Sequence, residues 1–266
     1  LFPYTTLFRS GLVPLPTRLV LLGAPMVIEC EQHRAGGRRS AGATDQALPV
    51  APLAGQAFDR GLLDGEAGIS KWVEKAKGKD FMFCPKMYQG VTHRGSLNGK
   101  QFITNEFFRG IVSFEEYLGP IFVQVSDTFS PKRKTELFDY LKTLPTYLQF
   151  FLEVRHPDWF KKDNIREEMF ATLKSMNMGA VITDTAGRRD CAHMHLTIPK
   201  AFIRYVGNSL HESDFTRCDA WVERMKYWVD KGLEELYFFM HMHDEAMSPE
   251  LTVYLVDKMN AAMDLS

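Results

Sequence analysis

Leu148–Phe160 reads LQFFLEVRHPDWF, and the fold turns on this stretch. Its first half is apolar and aromatic, the composition of a strand buried on both faces. The run changes character at Glu153-Val154-Arg155-His156 and breaks at Pro157. Side chains alternate along a strand, so Glu153 and Arg155 are expected on one face, two pleats apart. A carboxylate and a guanidinium are costly to bury there unless they pair with each other or meet a ligand.

The same pattern of apolar strand and polar end recurs at 81–87, 120–126, 180–185, 201–207 and 235–242. Most of these segments are joined by stretches of helical periodicity, at roughly 30-residue intervals, the length of a βαβ unit. Helical patterns cover Lys71–Lys77, Asn98–Leu118, a segment capped at Ser130-Pro131, Ile165–Met176, Trp221–Val229 and a segment from Ser248-Pro249 through Met263. In Asn98–Leu118 the apolar stripe is Phe102, Phe107, Ile111, Phe114 and Leu118. Only the polar segment Cys191–Lys200 connects two strands without a helical pattern. Six parallel strands fit an open doubly wound sheet or most of a (β/α)₈ barrel. No phosphate-cradling glycine motif is present, and every strand ends in polar residues, which favours the barrel.

Composition bounds the rest. The 266 residues carry a formal charge of −1, so no global basic excess argues for nucleic acid, although a local patch keeps that partner open. The four cysteines are scattered and form no C-x-x-C pair, the usage of reduced thiols in a cytoplasmic protein. No apolar run approaches the ~20 residues that cross a bilayer. LVLLGAPMVI after Arg18 loosely resembles a signal-peptide core, but no A-x-A-like cleavage site follows it.

Residues 1–65 differ from the remainder. They contain no lysine, and no aromatic residue lies between Phe8 and Phe58. No methionine opens the chain, and LFPYTTLFRS at 1–10 resembles the translation of a sequencing-library adapter. The expectation is an atypical, non-native or poorly ordered segment over 1–65, followed by a barrel domain over 66–266. Within 1–65 only Leu19–Leu22 and Met26–Cys30 have strand character.

EVRHPDWF at 153–160, TDTAGRRD at 183–190 and FIRYVG at 202–207 resemble the YecE-like family, domain of unknown function 72. The resemblance covers residues 66–266 and implies a TIM-type barrel. It also implies two further upstream strands, the second with a Glu-x-Asn segment followed by Phe-Tyr. Neither is found here, so the chain is expected to hold strands three to eight of a barrel incomplete at its N-terminus.

Functional groups of a barrel gather at the C-terminal ends of its strands. The candidates there are Lys86, Gln124, Glu153, Arg155, Asp184, Arg204 and His241. Glu153 and Asp184, with His241, are the candidates for proton exchange, and Lys86, Gln124, Arg155 and Arg204 for ligand binding. Two readings stand beside these. Glu153 and Arg155 could form a structural ion pair, and Asp184 could accept backbone donors in the turn after it. Arg204 lies between Ile203 and Tyr205, which points to ligand or ion-pair duty. Arg188 and Arg189 read either as an anion clamp or as a solvated loop. His93-Arg94 reads as a phosphate contact or a polar loop, His156 as a loop-orienting residue and Trp159 as lid packing. His193-x-His195 and His241-x-His243 have a spacing compatible with one edge of a metal site. Spacing assigns no third ligand, so neither metal nor cofactor is expected. The sequence thus points to a barrel protein that is a candidate enzyme for an anionic, phosphorylated or carboxylated, small molecule, by acid/base chemistry at the barrel mouth. A non-catalytic anion-binding module or a defective truncated barrel is the alternative.

Overall fold

A computed structural model describes Thr5–Phe8, Arg18–Gly23 and residues 66–79, 81–187 and 189–263. Met26–Cys30 and Arg188, both singled out above, lie outside the described residues.

The sheet is built from β1 (Thr5–Phe8), β2 (Arg18–Gly23), β3 (Ile121–Gln124), β4 (Phe150–Glu153), β5 (Gly179–Thr185), β6 (Lys200–Val206) and β7 (Glu235–His241). Its spatial order is β1-β2-β7-β6-β5-β4-β3. The five strands from β3 to β7 pair in parallel, as the apolar runs and helical crossovers require. β2 also pairs in parallel with β7, Leu22 opposite Phe239, and β1 pairs antiparallel with β2. Leu19–Leu22 therefore does make a strand.

The strand expected at 81–87 is reduced to two parallel bridges, Phe83–Leu118 and Lys86–Phe122. Four backbone bonds hold it, from Phe83 N–H to Tyr117 C=O, Gly119 N–H to Phe83 C=O, Phe122 N–H to Pro85 C=O and Met87 N–H to Phe122 C=O. Pro85 has no N–H of its own to extend the ladder.

The sheet curls. Residues 81–87 and β7 are separated by four intervening strands, which at ~4.8 Å spacing would put them about 24 Å apart in a flat sheet. Instead the Tyr237 hydroxyl lies 4.0 Å from Met82 Sδ. One interior cluster also gathers Cys84, Phe122, Phe151, Val181, Phe202, Tyr237 and Phe239. Gly179 makes room for this packing, because a Cβ there would stand 2.1 Å from the Phe151 ring. Among the described residues the ladder ends at β1 on one side and at 81–87 on the other.

The α-helices among the described residues are α1 (Glu66–Ala76), α2 (Gln89–Thr92), α3 (Gln101–Ile111), α4 (Lys134–Lys142), α5 (Asp158–Lys161), α6 (Asp163–Ser175), α7 (Glu212–Asp230) and α8 (Ser248–Met263). α7 buries Cys218, Trp221, Val222, Met225 and Trp228, a stripe at helical spacing. Its N-terminus is capped by His211, whose ring accepts the Ser213 N–H, and Glu212 and Asp214 complement the helix dipole there.

Three local expectations need correction. The helix predicted over Asn98–Leu118 ends at Ile111 and continues as a 3₁₀ segment, Val112–Tyr117, broken by Glu115 at φ 51°. Phe102 is 74% exposed while Phe107, Ile111 and Phe114 are fully buried. Five residues of helix rotate Phe102 about 140° away from Phe107, off the buried face. Ser130 makes no side-chain cap, and Pro131 opens a short 3₁₀ turn ahead of α4. No helix among the described residues is long and apolar enough to cross a membrane.

Candidate functional site

Strand alternation divides the polar strand ends between two faces. On the inner face, the aromatic cluster of Phe122, Phe151, Phe202 and Phe239 forms a floor. The next inward positions toward the C-terminal ends are Lys86, Gln124, Glu153, Thr183, Arg204 and His241, none more than 9% exposed. Six polar side chains thus form one buried layer above an apolar one.

Glu153 is the centre of that layer. Arg204 Nη1 donates to both its carboxylate oxygens at 2.7 and 2.9 Å, Gln124 Nε2 donates at 2.8 Å and Thr183 Oγ1 at 3.0 Å. Burial pushes the carboxyl upward, but the Arg204 and Arg155 charges and the Gln124 and Arg204 hydrogen bonds outweigh it, and the net shift is downward. Glu153 is therefore an ionised anchor whose lone pairs are occupied. Its arginine partner is Arg204 on β6, not Arg155. Arg155, half-buried just past β4, acts on Glu153 through its charge.

Arg204 is held on its Nη1 side, and its buried Nε has no hydrogen-bond acceptor among the described residues. The guanidinium lies 5.8 Å from the Phe122 ring centroid, at the edge of the aromatic floor.

Two further residues complete the surroundings of Glu153: Thr183, a member of the layer outside the candidates read from sequence, and His93, read from sequence as a phosphate contact or a polar loop. His93 follows α2, with Thr92 Oγ1 2.8 Å from its Nδ1. Burial, then the charges of Lys86 and Arg155, lower its pKa against a hydrogen bond with Gln124 and the Glu153 charge. It is a neutral imidazole at pH 7, close to both cations. Thr183 was passed over for its neighbour Asp184, although counting alternate residues from buried Val181 selects Thr183 for the inner face.

Asp184 faces the other way, and its expected place at the mouth is corrected. It is fully buried between β5 and α7, where Trp221 Nε1 donates to Oδ2 at 2.8 Å. Arg217 Nη2 and Arg189 Nε stand 3.0 and 3.1 Å from Oδ1. Arg217 also donates to the main-chain carbonyls of Asp184 and Val206, lies 3.3 Å from Asp214 Oδ1 and stacks 4.1 Å over the Tyr205 ring. The Tyr205 hydroxyl donates to the Asp214 carbonyl at 3.0 Å. Burial first of all keeps Tyr205 and Cys218 protonated, the thiol being pushed up to about 12. This is a polar staple between sheet and helix, with Asp184 Oδ1 held by ion pairing to Arg217 and Arg189 and without a hydrogen bond among the described residues.

The remaining histidines take packing roles. His193 stacks on Phe160 and packs tilted against Phe170, its Nε2 3.1 Å from the Val181 carbonyl, and burial lowers its pKa to about 4. His195 stacks on Phe170 at 4.2 Å. His156 Nδ1 accepts the Asp158 N–H, the loop-orienting role expected of it. Trp159 is a core residue, fully buried with Nε1 donating to the Phe129 carbonyl at 2.8 Å, and so is not a lid. His243 is exposed, past the end of β7. Among the described residues no group of three His, Cys, Asp or Glu side chains is placed to hold a metal. A surface groove between α3 and residues 143–147, lined by Phe108, Arg109 and Tyr147, includes none of the inner-layer residues.

Known proteins are similar to this chain in sequence or in fold. UPF0759 protein YecE of Escherichia coli strain K12 is 25% identical over 201 residues, spanning 69% of this chain and 73% of that protein. A solved DUF72 family protein from Enterococcus faecalis V583 superposes with a TM-score of 0.59 at 17% identity, over 76% of this chain and 81% of that one. Another from Thermotoga maritima MSB8 gives a TM-score of 0.55 at 15% identity, over 73% and 79% of the two chains. The family described as "Protein of unknown function DUF72" matches residues 63–265, so the chain belongs to the DUF72 family.

Proposed function

We propose that this chain is an enzyme acting on an anionic, phosphorylated or carboxylated, small molecule at the inner polar layer. Lys86, Arg155 and Arg204 hold the anion, while Glu153 fixes Arg204 in place. The observation that carries this reading is Arg204, a guanidinium 8% exposed and gripped on one side, with a buried Nε that lacks an acceptor among the described residues. A buried donor left unsatisfied is unfavourable by about 1–3 kcal/mol, and a ligand oxygen would relieve it.

Proton transfer falls to an imidazole. Glu153 is ionised and its oxygens are taken, and Asp184 is on the far side of the sheet. His241, at the inward end of β7, and His93, neutral beside Lys86 and Arg155, are the groups left to give or take a proton. Cations nearby favour the negative charge that develops when a hydroxyl or an acidic carbon loses its proton.

The test is calorimetric titration with phosphate monoesters and carboxylates, followed by turnover assays on each binder. Binding with turnover, and loss of turnover in His93→Gln or His241→Gln with binding retained, supports an enzyme. Binding without turnover of any bound compound makes the layer a non-catalytic anion site. No binding at millimolar concentration removes the reading altogether.

A further inference from the structure

We propose that Glu136, on α4, is a positioning residue for His93: through Ser96, Leu97 and Arg133 it fixes the loop that carries the imidazole into the surroundings of Glu153. The use of His93 for proton transfer rests on the reading above; the contacts that place it do not.

Residues 93–100 join α2 to α3 without regular structure. Gly95 and Gly99 stand there at φ 70° and 77°, a left-handed backbone that glycine adopts without strain. Such a segment does not hold a side chain in place by its own backbone bonds. Yet His93, at its start, is half-buried, hydrogen-bonded with Gln124 and close to Lys86, Arg155 and Glu153. Its placement needs support from outside the loop.

That support comes from α4. Ser96 Oγ and the Leu97 N–H each donate to Glu136 Oε1 at 2.7 Å. Arg133 donates from Nε to Oε2 and from Nη2 to Oε1, both at 2.8 Å, and Nη2 also donates to the Gly95 carbonyl at 2.9 Å. One carboxylate and its arginine thus grip Gly95, Ser96 and Leu97, beginning two positions after His93. The Arg133 hydrogen bond, with those of Ser96 and Leu97, holds the Glu136 carboxyl down at about 2, so it stays ionised at neutral pH. The Arg133 guanidinium lies 4.1 Å from the Phe129 ring centroid, and the Phe129 carbonyl accepts the Trp159 indole N–H. The loop of His93 is therefore tied to the segments that follow β3 and β4. Those strands end in Gln124 and Glu153, the inner-layer residues nearest the imidazole in chemistry.

A different duty for Glu136 would be to α4 alone, because an acid in the first turn complements the helix dipole. In that case its loss lowers stability and leaves His93 as it was. Loss of a nearby carboxylate charge would, by itself, lower the pKa of an imidazole. Release of the ring acts with the opposite sign, since burial and the Lys86 and Arg155 charges are what lower His93 now, against the Gln124 bond and the Glu153 charge.

The experiment is an NMR titration of the histidine rings in the full chain from about pH 4 to pH 9, with His93→Gln identifying the His93 signal. In the parent chain His93 titrates below 6.5. In Glu136→Ala its pKa is expected to rise toward 6.5, while His195, stacked on Phe170, keeps its own lowered value. Ser96→Ala leaves the Arg133–Glu136 pair in place and should move His93 the same way by less. It carries the test if Glu136→Ala does not fold. A His93 pKa unchanged or lowered in the folded variants would overturn the proposal and leave Glu136 as a helix-end carboxylate. Neither ligand nor turnover enters this titration, so the anion site can fail in calorimetry while Glu136 still places His93, and the reverse.

Discussion

Glu153 and Asp184 lie on adjacent strands, both are fully buried, and both are held by arginine, yet they belong to opposite faces of one sheet. On the outer face two carboxylates, Asp184 and Asp214, meet two guanidinium groups, Arg217 and Arg189, and Trp221 supplies a further donor to Asp184. The charges balance, and the bonds join strand ends to a helix. On the inner face one carboxylate meets three cations above an aromatic floor. A buried ion pair alone therefore says little about function; the unsatisfied Arg204 Nε is what sets the inner face apart as a candidate ligand site.

The largest expected effect is on the staple. Asp184→Ala leaves Arg217, 9% exposed, without its main acceptor, and should lower stability by about 3–5 kcal/mol in urea denaturation. Anion affinity of the folded variant should stay within about twofold, since surrounding charges differ only across the sheet. A tenfold loss of affinity would erase the distinction between the faces.

Acid stability gives the next effect. The pKa of His193 is lowered to about 4 from 6.5 by burial, so between those values the unfolded chain binds more protons. The contribution is complete above pH 6.5 and is lost as pH falls toward 4, on the order of 3 kcal/mol. His193→Gln should flatten the stability profile in that window relative to the parent chain. An unchanged slope would mean that the ring protonates freely in the folded state.

A smaller effect separates anchoring from catalysis at Glu153. Glu153→Gln keeps the side-chain shape and removes the charge, and should lower stability by about 2 kcal/mol. Anion binding should become tighter, because a negative charge beside the bound anion is removed. Weaker binding, or loss of turnover with binding intact, would restore Glu153 as a proton-transfer group.

Much of this was legible in the sequence. The apolar runs ending in polar residues located the strands, and the motifs around Glu153, Asp184 and Arg204 located the family. Strand parity was the unused signal: counting from Val181 places Thr183 inside and Asp184 outside. A carboxylate at a strand end is the more reactive group, so chemistry alone points to Asp184 where strand parity points to Thr183. His93 directly follows a short helix after a proline-interrupted strand, and nothing in its spacing ties it to Gln124 or Arg155. The pairing of Arg18–Gly23 with β7 joins chain segments more than 200 residues apart, which a local pattern does not encode. Trp159 read as a lid because it follows a strand-end motif, whereas its indole N–H needs the acceptor that the Phe129 carbonyl supplies in the core.

The central claim is that the inner face binds an anion and the outer face does not. The most direct measurement is calorimetric titration of methyl phosphate, at low and high salt, into the parent chain, Arg204→Gln and Arg189→Gln. Arg204 is buried in the inner layer, while Arg189, 54% exposed, reaches Asp184 from the loop after β5. The account predicts that Arg204→Gln weakens binding by about 2 kcal/mol or more, roughly thirtyfold, and that Arg189→Gln changes it less than twofold. Equal small effects from the two substitutions would contradict it and leave the inner charges as a structural ion-pair layer.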